Sequence, residues 1–388
     1  MSSNQQDFKT REVHAGVSPD PVTGAILTPI YQTTTYVQES VDNYMAKGYS
    51  YSRSGNPTVV ALEERITSLE SGVGSACFAT GMAATSSIMM ALLNAGEHAV
   101  LSDVVYGGTH RLSTRVLNRF GITYSFVDTS NPDAVRDALQ DNTRLILTET
   151  PANPTLKMTD IAAISEIARS RGIPHAVDNT FLTPYFQRPL ELGADLTFHS
   201  TTKFMEGHNI SVGGSVTASD EEMLEAIKFV RNCLGSNMTP QVAFYTLQGC
   251  KTMSTRLEAQ SANAMKVAQF LETHPNVDRV AYPGLDSFAQ KELVEAQASG
   301  YGSMLWFEVK GGVEAGKKLM NTLQLWSLAE NLGAVESLVT HSVTMTHADM
   351  PRDERMAAGI TDGLVRLSAG LESADDLIGD LKQALDAL

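Results

Sequence analysis

Between Gly74 and Ser200, short and almost wholly apolar runs alternate with amphipathic stretches, and few architectures accept that pattern. GSACFA (74–79), HAVLSD (98–103), ITYSFVD (122–128), RLILTE (144–149), PHAVDN (174–179) and ADLTFHS (194–200) read as strands. The stretches 81–93, 109–120, 133–139 and 160–172 read as helices between them. An earlier helix starts at Asn56-Pro57, with proline at its first position. Strands without polar alternation are buried on both faces, so the spacing predicts an α/β fold: a mostly parallel sheet with helices on both sides. Ligands of such sheets bind beyond the C-terminal ends of the strands.

Residues 1–50 show little periodicity and read as an N-terminal arm lying on a neighbouring subunit; Ile26, Leu27, Ile30, Tyr31 and Tyr36 are its apolar contacts. Residues 51–245 form the α/β domain. From 246 to 388 a smaller α+β C-terminal domain is expected, with a long helix at 253–273 and strands at 303–309, 323–330 and 364–370.

Composition removes several function classes. The chain carries 29 Lys and Arg against 44 Asp and Glu, a net charge of −15, so nucleic acid and anionic membrane surfaces are poor partners. Cys77, Cys233 and Cys250 are far apart and predict neither a disulfide framework nor a zinc site. The N-terminus MSSNQQDFKTREVHAG is polar, and no apolar run approaches the roughly 20 residues of a membrane span. The expected location is the cytoplasm. Gly72-Val73-Gly74 lacks the third glycine of a dinucleotide fingerprint and precedes a strand rather than following one. There is no Walker A, HExxH or GxSxG motif. His341 and His347 have no carboxylate pattern near them, and no metal site is expected.

The chemistry sits at two strand ends. Asp178 ends the run His175-Ala176-Val177, and Lys203 follows Ser200-Thr201-Thr202. A buried carboxylate needs a cation. Pyridoxal phosphate requires a lysine for its Schiff base and an acid for its pyridinium nitrogen, with hydroxyls such as Ser200 and Thr202 on its phosphate. Thr80-Gly81-Met82, between a strand and a helix, is a candidate anion site at a helix N-terminus. On spacing alone, a surface lysine past an exposed strand end accounts for Lys203 equally well. Arg366, inside the apolar run LVRLSAG, must meet an anion.

Six ordered motifs carry a resemblance. They are Tyr51-Ser52-Arg53-Ser54-Gly55-Asn56-Pro57-Thr58, Asp103-Val104-Val105-Tyr106-Gly107-Gly108-Thr109, Glu149-Thr150-Pro151-Ala152-Asn153-Pro154-Thr155, Asp178-Asn179-Thr180-Phe181, Ser200-Thr201-Thr202-Lys203 and Val365-Arg366-Leu367-Ser368-Ala369-Gly370-Leu371-Glu372. Over nearly its whole length the chain resembles the Cys/Met-metabolism, or trans-sulfuration, family of pyridoxal-phosphate enzymes. The resemblance implies the aspartate aminotransferase-like fold, type I. It implies Lys203 as the Schiff-base lysine, Asp178 as the pyridinium partner, and Gly81, Met82, Ser200 and Thr202 as the phosphate cradle. Tyr106 resembles the aromatic that stacks on the cofactor ring. Tyr51 and Arg53 resemble a pair that reaches the phosphate of a neighbouring subunit, which implies a homotetramer built as a dimer of dimers with shared sites. Arg366 resembles the clamp for a substrate α-carboxylate, with Asn153 beside it; Arg111 and Tyr51 are further expected substrate contacts.

Glu330 stands where family members that use cystathionine carry an acid and those that use methionine an apolar residue. A partly buried carboxylate there would meet the distal ammonium of cystathionine. The expected reaction is therefore α,γ-elimination of cystathionine to cysteine, 2-oxobutanoate and ammonia, with hydrogen sulfide as a possible side product. The runner-up is γ-replacement on an activated homoserine by cysteine, with γ-elimination of methionine behind it. Two positions depart from the family's pattern: Asn331 stands where serine is common, and His110 where other residues are commoner.

Overall fold

The computed structural model describes residues 6–345, 348 and 351–388. Seven strands come first: β1 (Gly74–Phe78), β2 (His98–Ser102), β3 (Thr123–Val127), β4 (Thr143–Glu149), β5 (His175–Asp178), β6 (Leu196–His199) and β7 (Gly214–Ala218). They form one sheet in the order β1-β7-β6-β5-β4-β2-β3. β2 to β6 run parallel, whereas β7 lies antiparallel between β6 and β1. Side chains alternate between the faces. Ala99, Leu101, Leu145, Leu147 and Ala176 join helices Gly81–Leu92 and Glu221–Leu234 in one apolar cluster. Val100 and Ile146 join helix Ile161–Ser170 in another. This two-sided burial is what continuous apolar strands require.

The second sheet holds β8 (Val277–Ala281), β9 (Met304–Val309), β10 (Ser327–Leu328), β11 (Leu338–His341) and β12 (Leu364–Ser368), in the order β10-β11-β12-β9-β8. Leu305, Phe307, Val339, Val365 and Leu367 face helices Met253–Glu272, Gly312–Thr322 and Ala374–Asp386. The intervening Met304, Trp306 and Leu364 join a cluster shared with the first sheet's domain. Arg366, between Val365 and Leu367, therefore leaves the sheet on the side of that domain.

Most expected elements occur within a residue or two of their predicted bounds. The strand expected at 323–330 shrinks to Ser327–Leu328. The N–H groups of Gln324, Leu325 and Trp326 donate instead to the Asp380 carboxylate at 3.0, 2.7 and 3.1 Å, so they cannot pair in a ladder. The expected helix at 109–120 is a short α-helix, Gly107–Arg111, followed by a π turn and a 3-10 turn. β7, β8, β11 and helices Glu221–Leu234 and Pro240–Cys250 have no counterpart in the sequence reading. No helix among the described residues is long and apolar enough to cross a membrane.

Within residues 1–50, Phe8–His14 is helical and packs on its own chain. The wholly buried Arg65 holds it, donating to the carbonyls of Val13 (2.9 Å), Ala15 (3.0 Å) and Leu247 (3.0 Å). Farther along, Val22, Ile26, Val37 and Val41 are exposed. Replacing Arg65 by leucine would orphan three carbonyls. We expect Arg65→Leu to lower unfolding free energy by about 3 kcal/mol in denaturant titration, and to expose the segment before Val17 to proteolysis.

Candidate active site

The C-terminal ends of β4, β5 and β6 open onto a cavity of about 580 Å3, closed on its far side by Glu330, Asn331, Leu332 and Arg366. Parallel strands aim their ends at one place, which is why residues far apart in sequence meet there. Of the expected site residues, Gly81, Met82, Tyr106, Arg111, Asn153, Asp178, Ser200, Thr202, Lys203, Glu330 and Arg366 line it. Tyr51 and Arg53 do not. Both are exposed; the Arg53 guanidinium lies 5.7 Å from the Tyr51 ring centre and donates to the Asn232 carbonyl at 3.4 Å.

One end of the cavity suits an anion. Helix Gly81–Leu92 begins there, and Thr80 Oγ1 caps it by accepting from the Ala83 N–H at 2.9 Å. The N–H groups of Gly81 and Met82 stay outside the helical ladder, at the positive end of the helix dipole. The backbone is packed tightly behind them. A Cβ on Gly81 would sit 2.9 Å from Ser200 Cβ, and one on Gly214 only 2.3 Å from the Thr80 carbonyl oxygen. Thr202 Oγ1 accepts from the Gly213 N–H (3.0 Å) and donates to its carbonyl (3.2 Å), so its hydroxyl proton is directed at the backbone.

The other end holds two carboxylates. Glu149 and Asp178 are register partners on β4 and β5. Asp178 accepts from the Thr180 N–H (3.0 Å) and hydroxyl (2.5 Å), yet burial raises its pKa above the usual range. Burial, then the neighbouring Asp178, pushes Glu149 up to about 8. The Glu149 carboxylate also accepts from the N–H groups of Tyr106 (2.8 Å) and Asn153 (2.9 Å), tying those two residues together. Glu149 was missed as a site residue in the sequence reading. The signal was the same as for Asp178: an acid ending an apolar strand. The Tyr106 ring, half exposed, crowds Gly108, where a Cβ would come 2.5 Å from Tyr106 Cε1 and 2.8 Å from Met82 Sδ.

Two basic side chains, Lys203 and Arg366, line the same cavity. Lys203 donates through Nζ to Asn331 Oδ1. Burial, and then Arg366, lowers its pKa to about 8. Arg366 is buried and donates to Asn153 Oδ1 (2.8 Å) and the Asn331 carbonyl (3.2 Å). Its Nε has no partner among the described residues. Burial lowers Arg366 to about 10, and the Glu330 charge partly offsets this. Glu330 is exposed at the cavity rim rather than partly buried, as the sequence reading had it. His341 is bonded to Thr344 Oγ1 (3.0 Å) and the Asp362 carbonyl (3.1 Å), and His347 lies outside the described residues. Among the described residues no group of three or more His, Cys, Asp or Glu side chains is placed to hold a metal.

These residues fit pyridoxal phosphate. A phosphate finds N–H groups outside the helical ladder at the helix start, a cationic ring nitrogen finds two carboxylates that pair with no cation among the described residues, and a lysine amine of lowered pKa lines the same cavity.

The comparisons with known proteins agree in kind. Residues 9–386 match the family described as Cys/Met metabolism PLP-dependent enzyme. The chain is 47% identical to cystathionine gamma-lyase of Bacillus subtilis (strain 168) over 378 residues, 97% of this chain and 99% of the relative. It is 45% identical to cystathionine beta-lyase of Coxiella burnetii over 386 residues, 99% of each. The crystal structure of metB from Corynebacterium glutamicum superposes with a TM-score of 0.95 at 41% identity, covering 100% of both chains.

The close contact at Gly214 yields a test of the anion end. A Cβ there must displace the Thr80–Gly81 backbone, and such overpacking costs about 1–3 kcal/mol. Gly214→Ala is expected to weaken pyridoxal phosphate binding by roughly tenfold or more, measured by fluorescence titration of cofactor-free protein, with its far-UV circular dichroism retained.

Proposed function

Because the chain belongs to the Cys/Met metabolism family of PLP-dependent enzymes, we propose that it is a carbon–sulfur lyase that cleaves cystathionine by α,γ-elimination, giving cysteine, 2-oxobutanoate and ammonia. Identity alone cannot choose within the family, since the γ-lyase and β-lyase relatives stand at 47% and 45%. The observation that carries the choice of cystathionine over methionine is Glu330 at the rim of the cavity whose buried cation is Arg366, and the γ side rests on the likeness to a cystathionine gamma-lyase. Cystathionine has an amino-acid group at each end. Its α-carboxylate pairs with Arg366 and Asn153, and its distal ammonium meets Glu330. Methionine offers no second cation.

The cofactor, held through Lys203, the Gly81–Met82 helix start and Asp178, supplies an electron sink for the carbanion left by deprotonation at the substrate α-carbon. The chain's own groups do the rest. Arg366, forked and buried, fixes the carboxylate in one orientation. Lys203 Nζ, once free, removes the α-proton. A base works best with a pKa near the working pH, and burial beside Arg366 brings this amine down to about 8. Expulsion of a γ-substituent needs a second proton removal, at the β-carbon; Lys203 would serve again once it had passed the first proton on to the cofactor and returned to the free amine. Tyr106, held through its N–H by Glu149, lines the cavity and would offer its ring for stacking on the cofactor.

The same reading makes the assembly a homotetramer with sites shared between subunits. Tyr51 and Arg53 support it, being exposed and away from their own cavity, as do the exposed Val22, Ile26, Val37 and Val41.

Replacing Glu330 tests the substrate assignment. Glu330→Val is expected to lower kcat/KM for cystathionine by a few-fold, a transition-state loss of about 0.2–1 kcal/mol, the worth of an exposed ion pair. It is expected to raise kcat/KM for methionine, whose uncharged end would meet an apolar wall. If the ratio of the two constants is unchanged, Glu330 does not contact substrate and the preference for cystathionine loses its basis.

A further inference from the structure

We propose that Asn209 and Glu336, neither of which lines the cavity, are positioning residues that hold the Asn331 amide in the one orientation that leaves the Lys203 lone pair free. The inference rests on the reading of Lys203 as the residue that carries the cofactor and moves the substrate proton.

Three side chains run outward from the lysine. Lys203 Nζ donates to Asn331 Oδ1. Asn331 Nδ2 donates to Asn209 Oδ1 at 2.6 Å, and Asn209 Nδ2 donates to the Glu336 carboxylate at 2.8 Å. An amide can turn either its oxygen or its NH2 toward a neighbour, so the direction of such a chain must come from an end that cannot reverse. Glu336 is that end. An ionised carboxylate only accepts, so it takes the NH2 of Asn209. Asn209 then has only its oxygen left for Asn331, which must present its NH2 there. The Asn331 oxygen is thereby turned to Lys203. With an acceptor opposite it, the lysine amine spends an N–H on the contact and keeps its lone pair. With the amide reversed, an NH2 would face the nitrogen and consume the pair that a base needs.

The geometry of the loop supports this direction. Asn209 sits at φ +56°, a left-handed conformation that asparagine tolerates better than most residues. The buried Glu206 carboxylate pins the loop on either side of it, accepting from the N–H groups of His208 (3.2 Å) and Ile210 (3.1 Å). The Asn331 carbonyl also accepts from Arg366 Nη2 at 3.2 Å. One residue thus positions the proposed base with its side chain and the proposed carboxylate clamp with its backbone.

The test reads the protonation of the lysine nitrogen rather than turnover. The visible absorbance of the lysine-linked cofactor in the holoenzyme is titrated with pH for the parent, Asn331→Ala, Asn209→Ala and the double variant. The Asn331 oxygen stabilises the protonated nitrogen, so its loss moves the midpoint down, by about one pH unit for a hydrogen bond to a charged group. Asn209→Ala should move it the same way by less. The double variant should match Asn331→Ala alone, because Asn209 acts only through Asn331. The charged groups sharing the cavity with Lys203 are Arg111, Glu149, Asp178, Glu330 and Arg366, and all are kept. An unmoved midpoint in Asn209→Ala, or shifts that add in the double variant, overturns the relay. Asn209 is exposed, so its variant carries the test even if Asn331→Ala fails to fold. Borohydride reduction and peptide mapping distinguish the other failure: cofactor fixed to a lysine other than Lys203 overturns both the relay and the reading it rests on.

Discussion

Arg366 is a guanidinium buried on the inner face of the small sheet; among the described residues its Nε has no partner and its hydrogen-bond acceptors are neutral oxygens. Burying a charge in this way is costly unless an anion completes it. The fold places it there by simple alternation: Val365 and Leu367 face the helices of their own domain, so Arg366 must face the other domain. Its bond to Asn153 joins the two domains across the cavity. Its charge also helps lower the proton affinity of Lys203, so the feature that demands an anion tunes the amine beside it.

The rest of the cavity follows the same rule, that charge is buried ahead of its partner. Glu149 and Asp178 stand side by side at the ends of β4 and β5, both pushed toward the neutral acid. Lys203 is pushed toward the neutral amine. These unmet demands are complementary to a bound molecule with a phosphate at one end, a cationic ring nitrogen at the other and an amino-acid substrate alongside. A site whose groups are shifted toward pH 7 before anything binds is poised for proton transfer.

Much of this was legible in the sequence because a charged residue on an apolar strand is conspicuous. Asp178, Arg366 and Lys203 were found that way, and each lines the cavity. Glu149 carried the same mark but was read only as part of a motif; its grip on the Tyr106 and Asn153 backbones depends on tertiary folding. β7 was not legible, since GSVTA is short and unmarked, and its antiparallel place between β1 and β6 is a matter of topology. The lost strand near 323–330 fails for a nonlocal reason, because Asp380 takes the N–H groups a neighbouring strand would need. Asn331 was noted as a departure, but its link through Asn209 to Glu336 spans a loop and two domains that sequence spacing does not bring together.

The account's central claim is that this cavity breaks cystathionine on the γ side of its sulfur. The two sides give different keto acids: γ-elimination leaves 2-oxobutanoate and cysteine, whereas β-elimination leaves pyruvate and homocysteine. Identifying the keto acid released when the pyridoxal-phosphate-loaded protein is incubated with cystathionine is the most direct measurement. The account predicts 2-oxobutanoate as the main product, and pyruvate as the main product would contradict it.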